Sequence, residues 1–193
     1  MTRSMRRLIS FSTIAVFAVI SVSAGLTAPQ GGSQSIPDPQ TTEEIKPRFA
    51  EASSVLIPQL GKRDRNYFAP RKVMDGLWET CWAEAAEDEG IGEWIKLVWL
   101  TPEVPTHVGV VPGWAKTKAR WKNNPRLKTA EVILSNGFVQ TVNFHDKMQL
   151  QFIQLKNTQP AGWMKLVVRE VYPGERFEDT SISEIKIFKR KTP

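Results

Sequence analysis

Two apolar runs meet across one Asn-Gly pair. Ala130-Glu131-Val132-Ile133-Leu134 is followed by Ser135-Asn136-Gly137 and then by Phe138-Val139-Gln140-Thr141-Val142-Asn143-Phe144. Apolar residues alternating on both sides of a residue pair that tolerates left-handed backbone are the strongest short-range signal of a β-hairpin. The pattern recurs along the chain. Segments 94–100, 107–111, 150–155, 163–171 and 182–188 read as further strands, the second ending at Pro112-Gly113. The only helical pattern is a short, weak one at 70–75. Many short strands divided by turn residues predict an all-β sandwich or barrel.

This pattern begins well inside the chain. Arg3, Arg6 and Arg7 precede an apolar run broken by serines, and Val22-Ser23-Ala24 fits a small-residue cleavage site. Residues 1–24 therefore read as a cleaved secretory signal peptide and the protein as exported, to the periplasm or outside the cell. Cleavage removes those three arginines and no acid, so the formal charge falls from +6 to +3. A residual +3 without a clustered basic face argues against nucleic acid. Lys189-Arg190-Lys191 reads as a solvated tail. Residues 25–48, rich in Pro, Gly, Ser, Thr and Gln, read as a flexible linker. The folded domain is expected over 49–190.

The single cysteine, Cys81, allows no internal disulfide, so apolar packing must hold the domain together. Between Thr80 and Trp82 it reads as a small buried residue. Of the seven tryptophans, Trp82, Trp94 and Trp99 read as core. Trp114 and Trp121 lie in a segment without alternation, among lysines and an arginine, where exposure for binding competes with a core role.

No catalytic apparatus is visible. Glu87, Asp88, Glu89 and Glu93 crowd one Gly-containing loop, and nothing fixes the separation that two glycosidase carboxylates need. His107 and His145 lack a nucleophile in any recognisable motif.

Three blocks carry a family resemblance. "GIGEWI" (90–95), "WKNNPRLKTAEVILSNG" (121–137) and "VYPGERFEDTSISEI" (171–185) occur in order. Residues 74–99, with an Asp-Gly turn and a Gly-x-Trp-Ile strand entry, are similar to the opening of a discoidin-like, galactose-binding-type β-sandwich. More specifically, the chain resembles the NADase-type glycan-binding domain, a translocation module of NAD glycohydrolases. The resemblance implies a jelly-roll β-sandwich that binds carbohydrate without acting on it. Pro112-Gly113-Trp114 replaces the family's usual Asn-Gly-Tyr, and Pro125 follows Asn123-Asn124. Both departures fall in loops that would choose the ligand.

A sugar site needs an aromatic ring for the apolar sugar face and planar polar groups for paired hydroxyls. Trp114, Trp121, Lys122, Asn123, Asn124 and Arg126 supply that chemistry in one segment, and Tyr172, Arg176 and Asp179 in another. A shared ligand-binding rim at one end of the sandwich is the expectation. The resemblance also implies a structural calcium ion held by Asp75 and Glu184. Asp179 and Thr180 could instead cap their own turn. The expected function is glycan or cell-envelope ligand binding. A structural or protein-partner module is the alternative, and an enzyme comes third.

Overall fold

The computed structural model describes residues 34–58 and 66–192. The segment read as a signal peptide and the first part of the linker lie outside the described residues.

Two sheets face each other. The smaller runs β1 (Thr42–Ile45), β11 (Glu184–Arg190), β5 (Pro105–Val111), β8 (Gln151–Gln154). The larger runs β2 (Phe49–Ala52), β4 (Trp94–Glu103), β9 (Ala161–Tyr172), β6 (Arg126–Leu134), β10 (Ser181–Ile182), β3 (Trp82–Ala83). A further strand, β7 (Val139–Asn143), also pairs with β6. A 3-10 turn (Pro70–Met74) and one short helix, α1 (Lys118–Asn123), complete the described elements.

Alternation decides which side chains enter the core. Ile95, Leu97 and Trp99 of β4 point inward, whereas Trp94, Lys96 and Val98 lie on the outer face. Leu127, Val132, Met164, Leu166 and Val168 meet them within the larger sheet, and Val108, Val110, Ile153, Ile185 and Ile187 close the core from the smaller one. Each such residue contributes about 1.5–3 kcal/mol of transfer free energy. The buried Trp99 donates its indole N–H to the Ala161 carbonyl at 2.6 Å, so no polar group is stranded.

The predicted hairpin is β6–β7, with Ile133 opposite Val139. It turns through three residues, and Gly137 takes the left-handed position at φ 88°. Asn136 accepts from the Phe138 amide and donates to Asn157, which pins the turn to the β8–β9 connection. Gln140 then spans the gap between sheets. Its amide donates to the Gln154 carbonyl and accepts from the Lys156 amide, both at 2.9 Å.

Trp94, expected in the core, lies instead on the outer face of β4, where Lys165 Nζ sits 4.5 Å from its ring centroid, because strand alternation turns it away from Ile95. Two further expectations change. The linker was placed at 25–48, but from Gln34 onward this segment is folded onto the sandwich. Gln34 bridges Ile153, and β1 pairs along β11 with Ile45 in the core at 4% exposure. An edge strand needs one inward apolar side chain and its main-chain hydrogen bonds, so it shows no apolar periodicity. The second change is α1, in a stretch without alternation. Thr117 caps it by accepting from the Arg120 amide at 3.1 Å.

Strand direction sorts the loops. The ends of β5, β7 and β9 and the starts of β6, β8 and β11 lie at one end of the sandwich. That end carries α1, the 144–150 turn and the 173–180 loop.

Candidate functional site

The rim segments expected from sequence do lie side by side, but several of their side chains face inward. Trp114 is 3% exposed. Its ring meets Phe68 edge-on at 5.4 Å, Arg120 covers it at 4.7 Å, and its N–H donates to the Glu79 carbonyl. Trp121 packs on Val111 and Ala115 and donates to Asp146 Oδ1 at 3.0 Å. Asn124 is buried and donates to the Arg120 carbonyl at 2.7 Å. None of these can serve as a ligand platform. Each fills the space between a loop and the sheets.

Arg126, 8% exposed, is the hub of this end. Its guanidinium makes a two-point contact with Asp146, Nε to Oδ1 at 3.0 Å and Nη2 to Oδ2 at 2.7 Å. Nη1 donates to the carbonyls of Asn124 and Pro173. One planar side chain therefore ties α1, the 144–150 turn and the 173–180 loop together. The hydrogen bond from Arg126 holds the Asp146 carboxyl below its ordinary value. Arg126 was expected at the rim; the structure makes it an internal clamp, and Asp146 was missed because no local pattern marks it.

Five of the expected residues keep some exposure. Lys122 and Arg176 are exposed, and Asn123, Tyr172 and Asp179 are half-buried. The Tyr172 hydroxyl donates to the Phe144 carbonyl at 3.1 Å. The Asn123 carbonyl accepts from the amides of Arg176 and Phe177, and the Lys122 carbonyl from that of Glu175. The C-terminus of α1 and the 173–177 turn are therefore one continuous surface. Gly174 permits the approach, because a Cβ there would meet the Phe177 and Asn123 carbonyl oxygens at 2.6 and 2.7 Å. The exposed ring on this surface is Phe177, at 37%, with the Arg176 guanidinium 5.4 Å from its centroid. Sequence reasoning passed over it because it stands alone among polar neighbours.

The far side of the same loop is anchored by a buried acid. Glu84 accepts from the Thr180 and Ala86 amides, each at 2.6 Å, and burial pushes its carboxyl up to about 7. The Thr180 hydroxyl donates to the Glu89 carbonyl at 2.7 Å, so it ties two loops together rather than capping its own turn. Burial also raises the Asp179 carboxyl.

Asp75 and Glu184 approach each other where the smaller sheet begins. Glu184 is 3% exposed and accepts from the Gly76 amide at 3.1 Å. Burial pushes its carboxyl up to about 7, and the charge of Asp75 adds to the rise. The Thr80 hydroxyl oxygen lies 2.9 Å from both Asp75 carboxylate oxygens, 3.0 Å from the Leu77 carbonyl and 3.4 Å from that of Lys72. A hydroxyl has one proton and can satisfy only one of these four acceptors. Such crowding of hard oxygens fits a calcium-type cation, and the Lys72 ammonium, 3.7 Å from Asp75 Oδ2, is the positive charge already beside them. Among the described residues no three His, Cys, Asp or Glu side chains converge, so carbonyl and hydroxyl oxygens would complete the set.

Two of the candidate catalytic residues have structural partners. His107 is at the opposite end, its ring nitrogens 3.1 Å from Thr106 Oγ1 and Ser35 Oγ. Glu93 accepts from the Ser53 and Ser54 hydroxyls and braces the entry to β4. Among the described residues no helix is long and apolar enough to cross a membrane.

Solved carbohydrate-binding modules share this architecture. The family 32 module of C. perfringens NanJ, in complex with galactose, matches at TM-score 0.57 and 15% identity, over 77% of this chain and 99% of that one. A second Clostridium perfringens module, in complex with GalNAc-β-1,3-galactose, matches at TM-score 0.54 and 19% identity, over 75% and 99%. The family 32 module of AlyQ, in complex with 4,5-unsaturated mannuronic acid, matches at TM-score 0.53 and 14% identity, over 75% and 97%. At these identities the likeness establishes the discoidin-like, galactose-binding-like sandwich. No curated protein matches the chain in sequence. The family model for the NAD glycohydrolase translocation F5/8 type C domain matches residues 44–188, and the chain belongs to that family.

Proposed function

We propose that this protein is an exported, non-catalytic glycan-binding module whose ligand rests on the surface shared by α1 and the 173–177 turn. The observation that carries the reading is the junction itself. Lys122, Asn123, Arg176 and Phe177 are brought within one hydrogen-bonded patch, and the patch is held rigid from beneath by Arg126. Phe177 offers a ring face to the apolar side of a sugar. Arg176, Asn123 and Lys122 offer donors to its hydroxyls. The neighbours' complexes with galactose and with an unsaturated mannuronic acid support carbohydrate as the ligand class.

A calcium ion at Asp75 and Glu184 would serve as a staple. Thr80 and the Lys72 and Leu77 carbonyls supply further oxygens. Such an ion relieves the repulsion between two carboxylates and joins the 75–80 loop to the first residue of β11.

A glycan-array screen of the chain, followed by titration of each hit, tests the reading. Saturable binding that is weakened by Phe177→Ala and Arg176→Ala, with the melting temperature unchanged, is the expected result. Binding to no glycan, with capture of a protein ligand instead, would replace it with the envelope partner module. Turnover of a bound glycan would overturn the non-catalytic assignment.

A further inference from the structure

The segment 116–126 carries Lys116, Lys118, Arg120, Lys122 and Arg126 and not one acid. The basic residues are spaced by Thr, Ala, Trp and Asn and so do not form a contiguous run. Folding uses two of the five internally: Arg126 holds Asp146, and Arg120 lies over the Trp114 ring. Lys116, Lys118 and Lys122 stay exposed, with no ion pair among the described residues. Lys118 and Lys122 are one turn apart and share a face of α1. Lys147 adds an exposed cation one residue after Asp146, and Arg176 another across the junction.

Elsewhere on the sandwich, cations without an ion pair among the described residues, such as Arg48, Arg71, Lys186 and Arg190, are dispersed along the chain, and five others are matched. Lys72, Lys96, Lys128, Arg169 and Lys189 each reach a carboxylate within the protein. Acids face the patch as well: Glu175 and Glu178 are exposed, and Asp179 is half-buried. Glu175 is even tied to α1 through its backbone amide, which donates to the Lys122 carbonyl at 3.0 Å. Yet neither it nor Glu178 forms an ion pair with the α1 lysines or with Arg176. The five unmatched cations exceed the three acids, and two of them, Lys122 and Arg176, belong to the junction that carries Phe177.

We infer that the glycan received at this rim is acidic, its sugars carrying carboxylate or another oxyanion substituent. Arg176 is the group for the anion next to the ring, because a planar guanidinium takes two oxygens of a carboxylate at once. Lys118 and Lys122 read the charges of neighbouring sugars along α1 as flexible point charges. A neutral glycan would leave all of these cations to water. The inference rests on the glycan-binding reading above and adds the class of sugar.

The test is calorimetric titration of the full chain with three probes at about 50 mM salt: a galacturonic acid hexamer, the same hexamer with its carboxyls reduced to alcohols, and poly-glutamate of matched charge. The uronate should bind at least about tenfold more tightly than the reduced hexamer, equivalent to 1.4 kcal/mol. That ratio should shrink as salt rises. Lys118→Gln with Lys122→Gln should lower uronate affinity about three- to tenfold, at about 0.3–0.7 kcal/mol for each exposed pairing. Arg190→Gln, at the other end of the sandwich, should leave it unchanged. Equal binding of the uronate and its reduced form overturns the acidic assignment and leaves glycan binding intact. Poly-glutamate binding as tightly as the uronate, or an equal loss in Arg190→Gln, reduces the patch to general charge attraction. No binding of either hexamer, under conditions where array glycans bind, also overturns it, whereas silence towards every glycan removes the underlying reading.

Discussion

Replacing Glu184 by glutamine keeps the shape of the side chain and its acceptor for the Gly76 amide but removes the charge. In the metal-free protein, burial raises this carboxyl from 4.5 to about 7. The folded state therefore holds the proton more tightly than the unfolded chain. The group does not disturb folding below pH 4.5, and its cost grows as pH rises towards 7 and then levels off. A rise of about 2.5 units corresponds to about 3 kcal/mol at full ionisation. For a domain of this size that is roughly 6–12 °C in melting temperature. In chelator at pH 8, Glu184→Gln should thus melt above the unsubstituted protein by up to that amount, and the two should converge at pH 4. Glu84 rises to about 7 for the same reason of burial, so both proteins share its pH slope and only their difference isolates Glu184. Calcium should reverse the order. Mass action contributes about 2.7 kcal/mol at a hundred times Kd and about 4.1 at a thousand times. The unsubstituted protein should therefore draw level near the first concentration and lead at the second, while the variant stays still. The assay is thermal unfolding by circular dichroism, with chelator or calcium, at pH 4 and pH 8. A variant less stable than its parent in chelator at pH 8 would refute the burial argument. A parent indifferent to calcium would remove the metal.

Trp114→Ala should cost about 3–5 kcal/mol, because it empties the space against Phe68 and leaves the Glu79 carbonyl unpaired; urea unfolding reads this directly, and a loss below 1 kcal/mol would contradict the burial. Deleting residues 34–48 should lower the melting temperature and bare the β11 edge, which amide hydrogen exchange of β11 would register as lost protection. The Cys81 thiol, 1% exposed and pushed up by burial, should resist a thiol reagent at pH 8 and react fully in denaturant. Fast labelling of the native protein would put that segment at the surface.

Wherever the backbone is regular, the amino-acid order alone settled which way each side chain faces. The period of two in 94–99 sends Ile95, Leu97 and Trp99 inward and Lys96 outward, and neighbouring strands can only deepen that choice. Asn136-Gly137 selected the hairpin through the conformations those two residues permit. The three motif blocks were enough to identify the family, since each is local and their order is preserved.

In the loops no period says which way a side chain faces, and tertiary contacts decided it. Trp114 and Trp121 are buried by partners far along the chain, Phe68 for one and Asp146 for the other. Both indole N–H groups find acceptors there, which makes their burial affordable. Phe177 is left outside because the backbone of its turn, not its ring, is what α1 holds. β1 likewise forms on the edge that β11 offers, with a single apolar residue to commend it. A polar segment carries few signs of such pairing, because its hydrogen bonds belong to the backbone and are the same for every sequence. The long-range geometry therefore decided which candidate residues stayed at the surface to meet a ligand and which became the support beneath it.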